Sequence, residues 1–113
     1  MKRGEIWWIQ LDPTIGSEIQ KKRPCVIVND DAIGILPLRV IVPLTDWKPR
    51  YGIAEWMVRI DPSPENKLTK TSAVDCFQVR SVSTQRFISF GGSLSSDQMI
   101  QITAALAIVF CIR

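Results

Sequence analysis

The feature that most constrains the fold of this chain is a succession of short runs of strand-forming residues, each ended by proline, glycine or aspartate. Valine, isoleucine and aromatic residues favour strands, whereas proline, glycine and aspartate interrupt them. The pattern predicts strands at residues 6–11, 24–28, 38–42, 54–60, 72–79 and 87–90. Short strands separated by turns are typical of a sandwich or a small barrel.

One helix is predicted after the last strand. Ser95 and Gln98 have the spacing of a capping box, in which each side chain accepts a hydrogen bond from the other residue's backbone amide. Apolar residues then recur at helical spacing, at Met99, Ile102, Leu106 and Val109. We therefore expect a mainly β fold, a small β-barrel with a C-terminal α-helix, in one domain over residues 1–113.

The end of this helix is uniformly apolar from Ala104 to Ile112. The run is too short to cross a membrane, which requires roughly 20 apolar residues. We interpret it as buried partly in the barrel and partly in a dimer contact. Because no apolar signal segment precedes the first strand, we expect a cytoplasmic protein with no membrane partner.

Composition narrows the chemistry. The chain contains no histidine, which excludes Ser-His-Asp and Cys-His catalytic arrangements and the usual catalytic zinc sites. A net charge of +3 and a pI of about 9.0 permit nucleic-acid binding. Cys25, Cys76 and Cys111 share no short spacing and lie in apolar contexts, so we expect core thiols and neither a disulfide framework nor a metal site.

The polar loop between the first two predicted strands ends in three cations, Lys21, Lys22 and Arg23. An arginine at the start of a buried strand, preceded by a flexible basic loop, is well placed to bind phosphate, because its planar fork donates two hydrogen bonds at once. The alternative is a solvated loop in which Arg23 pairs with Glu18 or Asp12.

Two further segments carry groups suited to RNA. Thr45 follows the third predicted strand and offers a hydroxyl that can donate to a phosphate oxygen, although threonine is also common at strand ends for structural reasons. Trp47 opens a loop that contains Tyr51, Lys48 and Arg50. Aromatic side chains interleaved with cations suit the stacking of unpaired bases; the alternative is that Trp47 packs on the barrel.

The order of six short motifs is more specific than any of these segments alone. The motifs are RGEIW at residues 3–7, LDPTIGSE at residues 11–18, KRP at residues 22–24, VPLT at residues 42–45, SAV at residues 72–74 and QVR at residues 78–80. In order and spacing the chain closely resembles the MazF/PemK family of toxins, from Arg3 to the terminal helix.

The resemblance implies an SH3-like barrel of the CcdB/MazF type, a homodimer, and a metal-independent endoribonuclease (an mRNA interferase) that needs no cofactor. Members of the family cleave single-stranded RNA at specific sequences, leave 2′,3′-cyclic phosphate and 5′-hydroxyl ends, and thereby inhibit translation and growth. As toxins of type II toxin–antitoxin systems, they have a cognate MazE-like antitoxin as partner, which occupies the RNA groove.

The resemblance also places catalysis on Arg23 and Thr45. Together with the sequence pattern, it predicts RNA-binding positions at Ser17, Lys21, Lys22, Trp47, Ser72 and Gln78. In this reaction the 2′-hydroxyl attacks its own phosphate, so the protein must hold the phosphate in line and stabilise the charge that develops on its oxygens. Glu18 is the nearest carboxylate in sequence and is our candidate for the base that accepts the 2′ proton.

Two other functions stay open at this point. A CcdB-like, gyrase-inhibiting toxin shares this barrel but would act through the exposed end of its terminal helix, without a need for Arg23 and Thr45. A non-catalytic RNA-binding module would keep the fold and bind RNA without cleaving it.

Overall fold

The computed structural model describes residues 1–33 and 35–112, and within these ranges the chain forms seven β-strands followed by one α-helix. The strands are β1 Glu5–Gln10, β2 Lys22–Ile27, β3 Leu38–Asp46, β4 Met57–Ile60, β5 Ser72–Asp75, β6 Arg80–Ser83 and β7 Phe87–Ser93. The helix α1 is Ser96–Val109. The expected mainly β fold with a C-terminal helix is confirmed.

Every strand pairs with its neighbours in antiparallel orientation, in the order β4-β5-β3-β2-β1-β7, and β6 pairs with β3. Three connections, β1–β2, β2–β3 and β4–β5, join strands that are neighbours in the sheet. The sheet remains open, with β4 and β7 at its two ends, so the barrel is not closed by a ladder between described strands.

Only the first half of the strand predicted over residues 72–79 forms: β5 ends at Asp75 and a 3-10 turn, Cys76–Gln78, follows it. β6, which begins at Arg80, lies beyond the predicted range. β5 and β6 pair with successive parts of β3, with Val74 opposite Leu44 and Arg80 opposite Ile41. The Asp75 carboxylate accepts the Phe77 amide at 3.2 Å and thereby caps the turn. Such a local side-chain bond competes with continuation of the ladder, which is why the strand is interrupted there.

β3 is longer than predicted, because the strand continues through Pro43 to Asp46. Pro43 has no backbone N–H to donate to the neighbouring strand, but it still lies opposite Cys25 of β2. From Leu44 onward β5 supplies new backbone partners. Thr45 therefore lies within the strand and not in a connection that follows it.

The two faces of the sheet carry separate hydrophobic clusters. The helix-side core includes Val26, Val42, Leu44 and Val74, and is covered by Ile102 and Ala105 of α1. The loop-side core includes Ile9, Cys25, Ile27, Ile41 and Val82, with Ile19 packed against it. Because side chains alternate along a strand, β2 contributes to both cores.

The terminal helix follows the predicted pattern closely. The capping box of Ser95 and Gln98 is present, and the predicted helical positions 99, 102, 106 and 109 all pack in the helix-side core. No helix in residues 1–33 and 35–112 is long and apolar enough to cross a membrane.

The cysteines do not all behave as predicted. Cys25 and Cys76 are buried, and burial raises the pKa of each thiol to about 12, so both are inert core residues. Cys111 is exposed beyond the end of α1, and its assignment as a core thiol is therefore wrong.

Candidate functional site

The antiparallel register brings three strand ends together at one edge of the sheet, where β2 begins, β3 ends and β5 begins. Cys25 lies opposite Pro43 in the β2–β3 ladder, and Arg23 and Thr45 are each two residues further along their strands, so by alternation they lie on the same face as that pair. Directly opposite residues share a face of the sheet. Both side chains line one cleft of about 230 Å³, hereafter the Arg23 cleft, together with Ser72 of β5.

Arg23 presents its charge to this cleft. Its Nε donates to the Gln20 carbonyl at 3.2 Å, and within the described part of the chain its two terminal nitrogens have no hydrogen-bond partner. In those residues Arg23 also forms no ion pair with Glu18 or Asp12, which rules out the alternative considered from the sequence. A guanidinium whose two terminal nitrogens are both available is suited to binding a phosphate.

The side chains around Arg23 make the cleft cationic. Counting the described residues only, four cations line it against a single carboxylate, that of Asp46. The other three cations are Lys22, Lys67 and Lys70. Lys70 Nζ lies 3.7 Å from Asp46 Oδ2 in an exposed pair. An anionic ligand is therefore favoured here.

The residues of the Arg23 cleft that sequence reasoning missed include one aromatic residue and two cations: Trp8, Lys67 and Lys70. Trp8 was interpreted only as a strand former, although a large aromatic side chain left 44% exposed on β1 is an available stacking surface. The two lysines are distant in sequence from Arg23. Nothing in the local pattern of residues 61–70 indicated that this segment lies beside Arg23 at the edge of the sheet.

Ser17, Glu18 and Gln78 lie instead in a second cleft of about 400 Å³, hereafter the Gln78 cleft. Gln78 Oε1 accepts the Ile19 amide at 2.6 Å, and Gln78 Nε2 donates to the Ser17 carbonyl at 3.1 Å. Glu18 Oε1 accepts the Ile15 amide at 2.7 Å. The predicted site residues are thus divided between two clefts.

The loop that carries Ser17 and Glu18 is tied to the sheet at its beginning as well. Arg86 Nη1 donates to the carbonyls of Gln10 at 3.1 Å and Asp12 at 2.6 Å. Arg80 Nη1 donates to the Leu11 carbonyl at 3.3 Å. The loop that was expected to be flexible is therefore held to the sheet by several side-chain bonds.

Asp75 supports this arrangement by capping the turn that carries Gln78. Burial raises the pKa of its carboxyl group above the ordinary value near 3.8, while hydrogen bonds from Phe77 and Gln78 act in the opposite direction. The carboxylate caps the turn from which Gln78 reaches the loop. Asp75 therefore acts on the Gln78 cleft through Gln78.

Two predicted RNA-binding residues line neither cleft. Trp47 packs edge-on against Tyr51, with 5.9 Å between ring centroids, and Arg59 lies over its ring at 5.7 Å. Lys21 is exposed in a left-handed conformation with φ of 70°, and its carbonyl accepts the Leu11 amide at 2.9 Å. Among the described residues no cluster of three or more Cys, Asp or Glu side chains could hold a metal ion.

Comparison with characterised proteins identifies close relatives. The chain is 31% identical over 116 residues to the endoribonuclease MazF9 of Mycobacterium tuberculosis, an alignment that covers 94% of this chain and 92% of the relative. It is 37% identical over 83 residues to the endoribonuclease PemK of Escherichia coli, covering 73% of this chain and 60% of that protein.

The fold and the family model agree with these relatives. A mycobacterial endoribonuclease solved in complex with its cognate antitoxin superposes with a TM-score of 0.81 at 20% identity, covering 100% of this chain and 97% of that one. The model of the family described as PemK-like, MazF-like toxin of type II toxin–antitoxin system matches residues 2–110. The chain therefore belongs to this family of toxins.

Proposed function

We propose that the protein is the toxin of a type II toxin–antitoxin system and acts as a metal-independent, sequence-specific endoribonuclease on single-stranded RNA. The observation that carries this proposal is that Arg23 and Thr45 line one cationic cleft, where the terminal guanidinium nitrogens of Arg23 have no hydrogen-bond partner among residues 1–33 and 35–112. The relatives named as endoribonucleases support the same reaction. Inhibition of translation and growth follows from cleavage of mRNA.

The two residues suit a reaction whose nucleophile belongs to the substrate. The 2′-oxygen attacks the adjacent phosphorus and the bond to the 5′-oxygen breaks, which leaves a 2′,3′-cyclic phosphate and a 5′-hydroxyl end. The 2′-hydroxyl loses a proton and the departing 5′-oxygen gains one. Arg23 supplies fixed positive charge for the phosphate oxygens, and Thr45 supplies a second donor. Neither role requires a group that titrates near neutral pH.

Glu18 remains our candidate for the base that accepts the 2′ proton. Since it lines the Gln78 cleft, this role requires RNA that spans both clefts, or a movement of the loop when RNA binds. We expect Glu18→Gln to lower the cleavage rate and flatten its pH dependence between about pH 5 and about pH 9, because the amide cannot accept the proton. The measurement is single-turnover cleavage across that range; a variant with the full rate and the unaltered profile would remove Glu18 from this role.

The partners follow from the family. A MazE-like antitoxin that occupies the RNA-binding groove is proposed on the precedent of the mycobacterial complex. A homodimer is proposed from the apolar end of α1, where Ile108, Phe110 and Ile112 are more than half exposed. We also propose that each chain is a single toxin domain that acts in the cytoplasm.

The proposal is tested by incubating the purified protein with a long single-stranded RNA in EDTA and mapping the cut sites and their end groups. We expect discrete cuts at a short recurring sequence, with cyclic phosphate and 5′-hydroxyl ends. A folded, antitoxin-free protein that cuts none of several diverse RNAs would contradict it. A gyrase-supercoiling assay and an RNA-binding assay, run in parallel, would then identify the CcdB-like and the non-catalytic alternatives.

A further inference from the structure

The loop that carries two of the lysines of the Arg23 cleft has a shape fixed by a buried side chain. Asn66 Oδ1 accepts the amides of Ser63 at 2.9 Å and Leu68 at 3.0 Å, and Asn66 Nδ2 donates to the Asp61 carbonyl at 2.9 Å. The position of Gly92 permits this arrangement, since a Cβ there would lie 2.5 Å from the Asn66 carbonyl oxygen. The loop is therefore held against β7, which fixes the backbone positions from which Lys67 and Lys70 reach the cleft.

Neither lysine is committed to a strong interaction. Lys67 Nζ lies 5.7 Å from the centroid of the Phe90 ring. Lys70 pairs with Asp46 at 3.7 Å, but both side chains are about two-thirds exposed, and such exposed pairs contribute little to stability. A phosphate that enters the cleft can replace these contacts with charge-assisted hydrogen bonds.

An uncovered indole lies in the same cleft as the two lysines. Trp8 is 44% exposed, and Gly91 beside it lines the same cleft without a side chain; a Cβ at Gly91 would make ordinary contact with Trp8 Cδ1, at 3.5 Å. An exposed tryptophan beside cations is the combination with which proteins bind an unpaired nucleotide, the ring stacking on the base and the cation binding its phosphate.

We propose that Trp8, Lys67 and Lys70 form a nucleotide-binding subsite next to the reaction centre, which holds the base and phosphate of a nucleotide that neighbours the cleaved bond. This inference rests on the proposed ribonuclease function and assigns part of its substrate binding. Arg23 and Thr45 act on the reacting phosphate, whereas the subsite fixes the register of the strand relative to them.

The first test measures stacking on Trp8. The probe is an RNA oligonucleotide with the sequence around a mapped cut site, made uncleavable by 2′-O-methyl groups, in a series that carries one abasic position at a time. We expect Trp8→Leu to weaken binding of the intact probe by roughly 5- to 150-fold, the range of base–aromatic stacking, and Trp8→Phe to retain most of the affinity. Trp56→Leu is the matched control, since Trp56 has similar exposure and lines neither cleft.

The abasic series locates the nucleotide. For the unmutated protein, removing the base at one position of the RNA probe should weaken binding about as much as Trp8→Leu does. For the Trp8→Leu protein, removing the same base should have no further effect. Coupling of this kind requires that the base and the ring touch. A Trp8→Leu variant that merely folded poorly would lose affinity for every probe without such coupling.

The second test measures phosphate contacts. We expect Lys67→Ala and Lys70→Ala each to reduce the slope of the logarithm of affinity against the logarithm of salt concentration by about 0.7. Lys2→Ala is the control, because Lys2 lies near the C-terminal end of β2, opposite the cleft. If Trp8→Leu, Lys67→Ala and Lys70→Ala all cleave RNA and keep the natural probe affinity, salt slope and abasic profile, the proposed subsite is wrong and the proposed ribonuclease function still stands. An enzyme that neither binds nor cleaves RNA would overturn the proposed function.

Discussion

At the scale of single residues, the site depends on where β2 and β3 set Arg23 and Thr45. Thr45 is half-buried and lines the same cleft as Arg23. Its backbone is paired with Ala73 of β5, which fixes the direction of the side chain. The hydroxyl is therefore a preorganised donor, the kind of group that stabilises developing charge without reorganisation during the reaction.

We expect Thr45→Val to lower the single-turnover cleavage rate by about 10²-fold, the scale of removing one such donor. Valine keeps the branched shape and the strand preference of threonine, so the fold and the thermal midpoint should change little. The measurement is the cleavage rate at saturating protein, with the melting temperature as the control for folding. A folded Thr45→Val protein with the natural rate would show that the hydroxyl takes no part.

At the scale of elements, the loop between β1 and β2 is placed by the 3-10 turn that interrupts the β5–β6 edge. Gln78 was predicted to contact RNA, but both ends of its amide are occupied by the backbone of that loop. Ile19, whose amide is one of the two bonded groups, packs its side chain against the loop-side core. The structure therefore supports a positioning role for Gln78.

We expect Gln78→Ala to speed hydrogen exchange at the Ile19 amide and to lower the cleavage rate, since it removes two hydrogen bonds with a typical net contribution of about 0.5–1.5 kcal/mol each. Gln85→Ala is the matched control, because Gln85 is exposed and lines neither cleft. If Gln78→Ala weakened RNA binding while exchange at Ile19 stayed unchanged, Gln78 would contact RNA directly and the positioning role would be wrong.

The same elements show how far the sequence could predict the site. Arg23 and Thr45 were candidates because of their places at predicted strand ends, and the resemblance to the MazF/PemK family assigned catalysis to them. Lys67 and Lys70 were not, because their positions depend on the buried Asn66 and on the close approach of Gly92 to the Asn66 backbone. Both are tertiary contacts, and neither produces a local sequence pattern. The end of β3 was misplaced for a similar reason, since pairing with β5 extended the strand past Pro43.

At the scale of the whole molecule, the end of α1 divides into two kinds of apolar side chain. Val109 packs against the helix-side core, whereas Ile108 and Phe110 are 52% and 58% exposed. The sequence predicted a helix end partly in the barrel and partly in a dimer contact, and the first part is confirmed. The exposed part remains a proposed dimer contact, and Val109→Asp would test the fold and not the association.

We expect Phe110→Asp to convert the proposed dimer into monomers, because a charge placed in an apolar contact is desolvated without a partner. Sedimentation equilibrium over a range of protein concentrations measures the change. Ile53→Asp is the control, since Ile53 is 94% exposed and is not part of α1. An undisturbed dimer in both Phe110→Asp and Ile108→Asp would place the interface elsewhere.

The central claim is that Arg23, held at the start of β2, supplies the charge that drives RNA cleavage. The most direct measurement is single-turnover cleavage of one mapped RNA site, in EDTA, by the natural protein and by Arg23→Ala. We expect a loss of at least about 10²-fold in rate, the scale of removing one preorganised stabilising group, with an unchanged melting temperature. A folded Arg23→Ala protein that cleaves the same site at a near-normal rate would contradict the account.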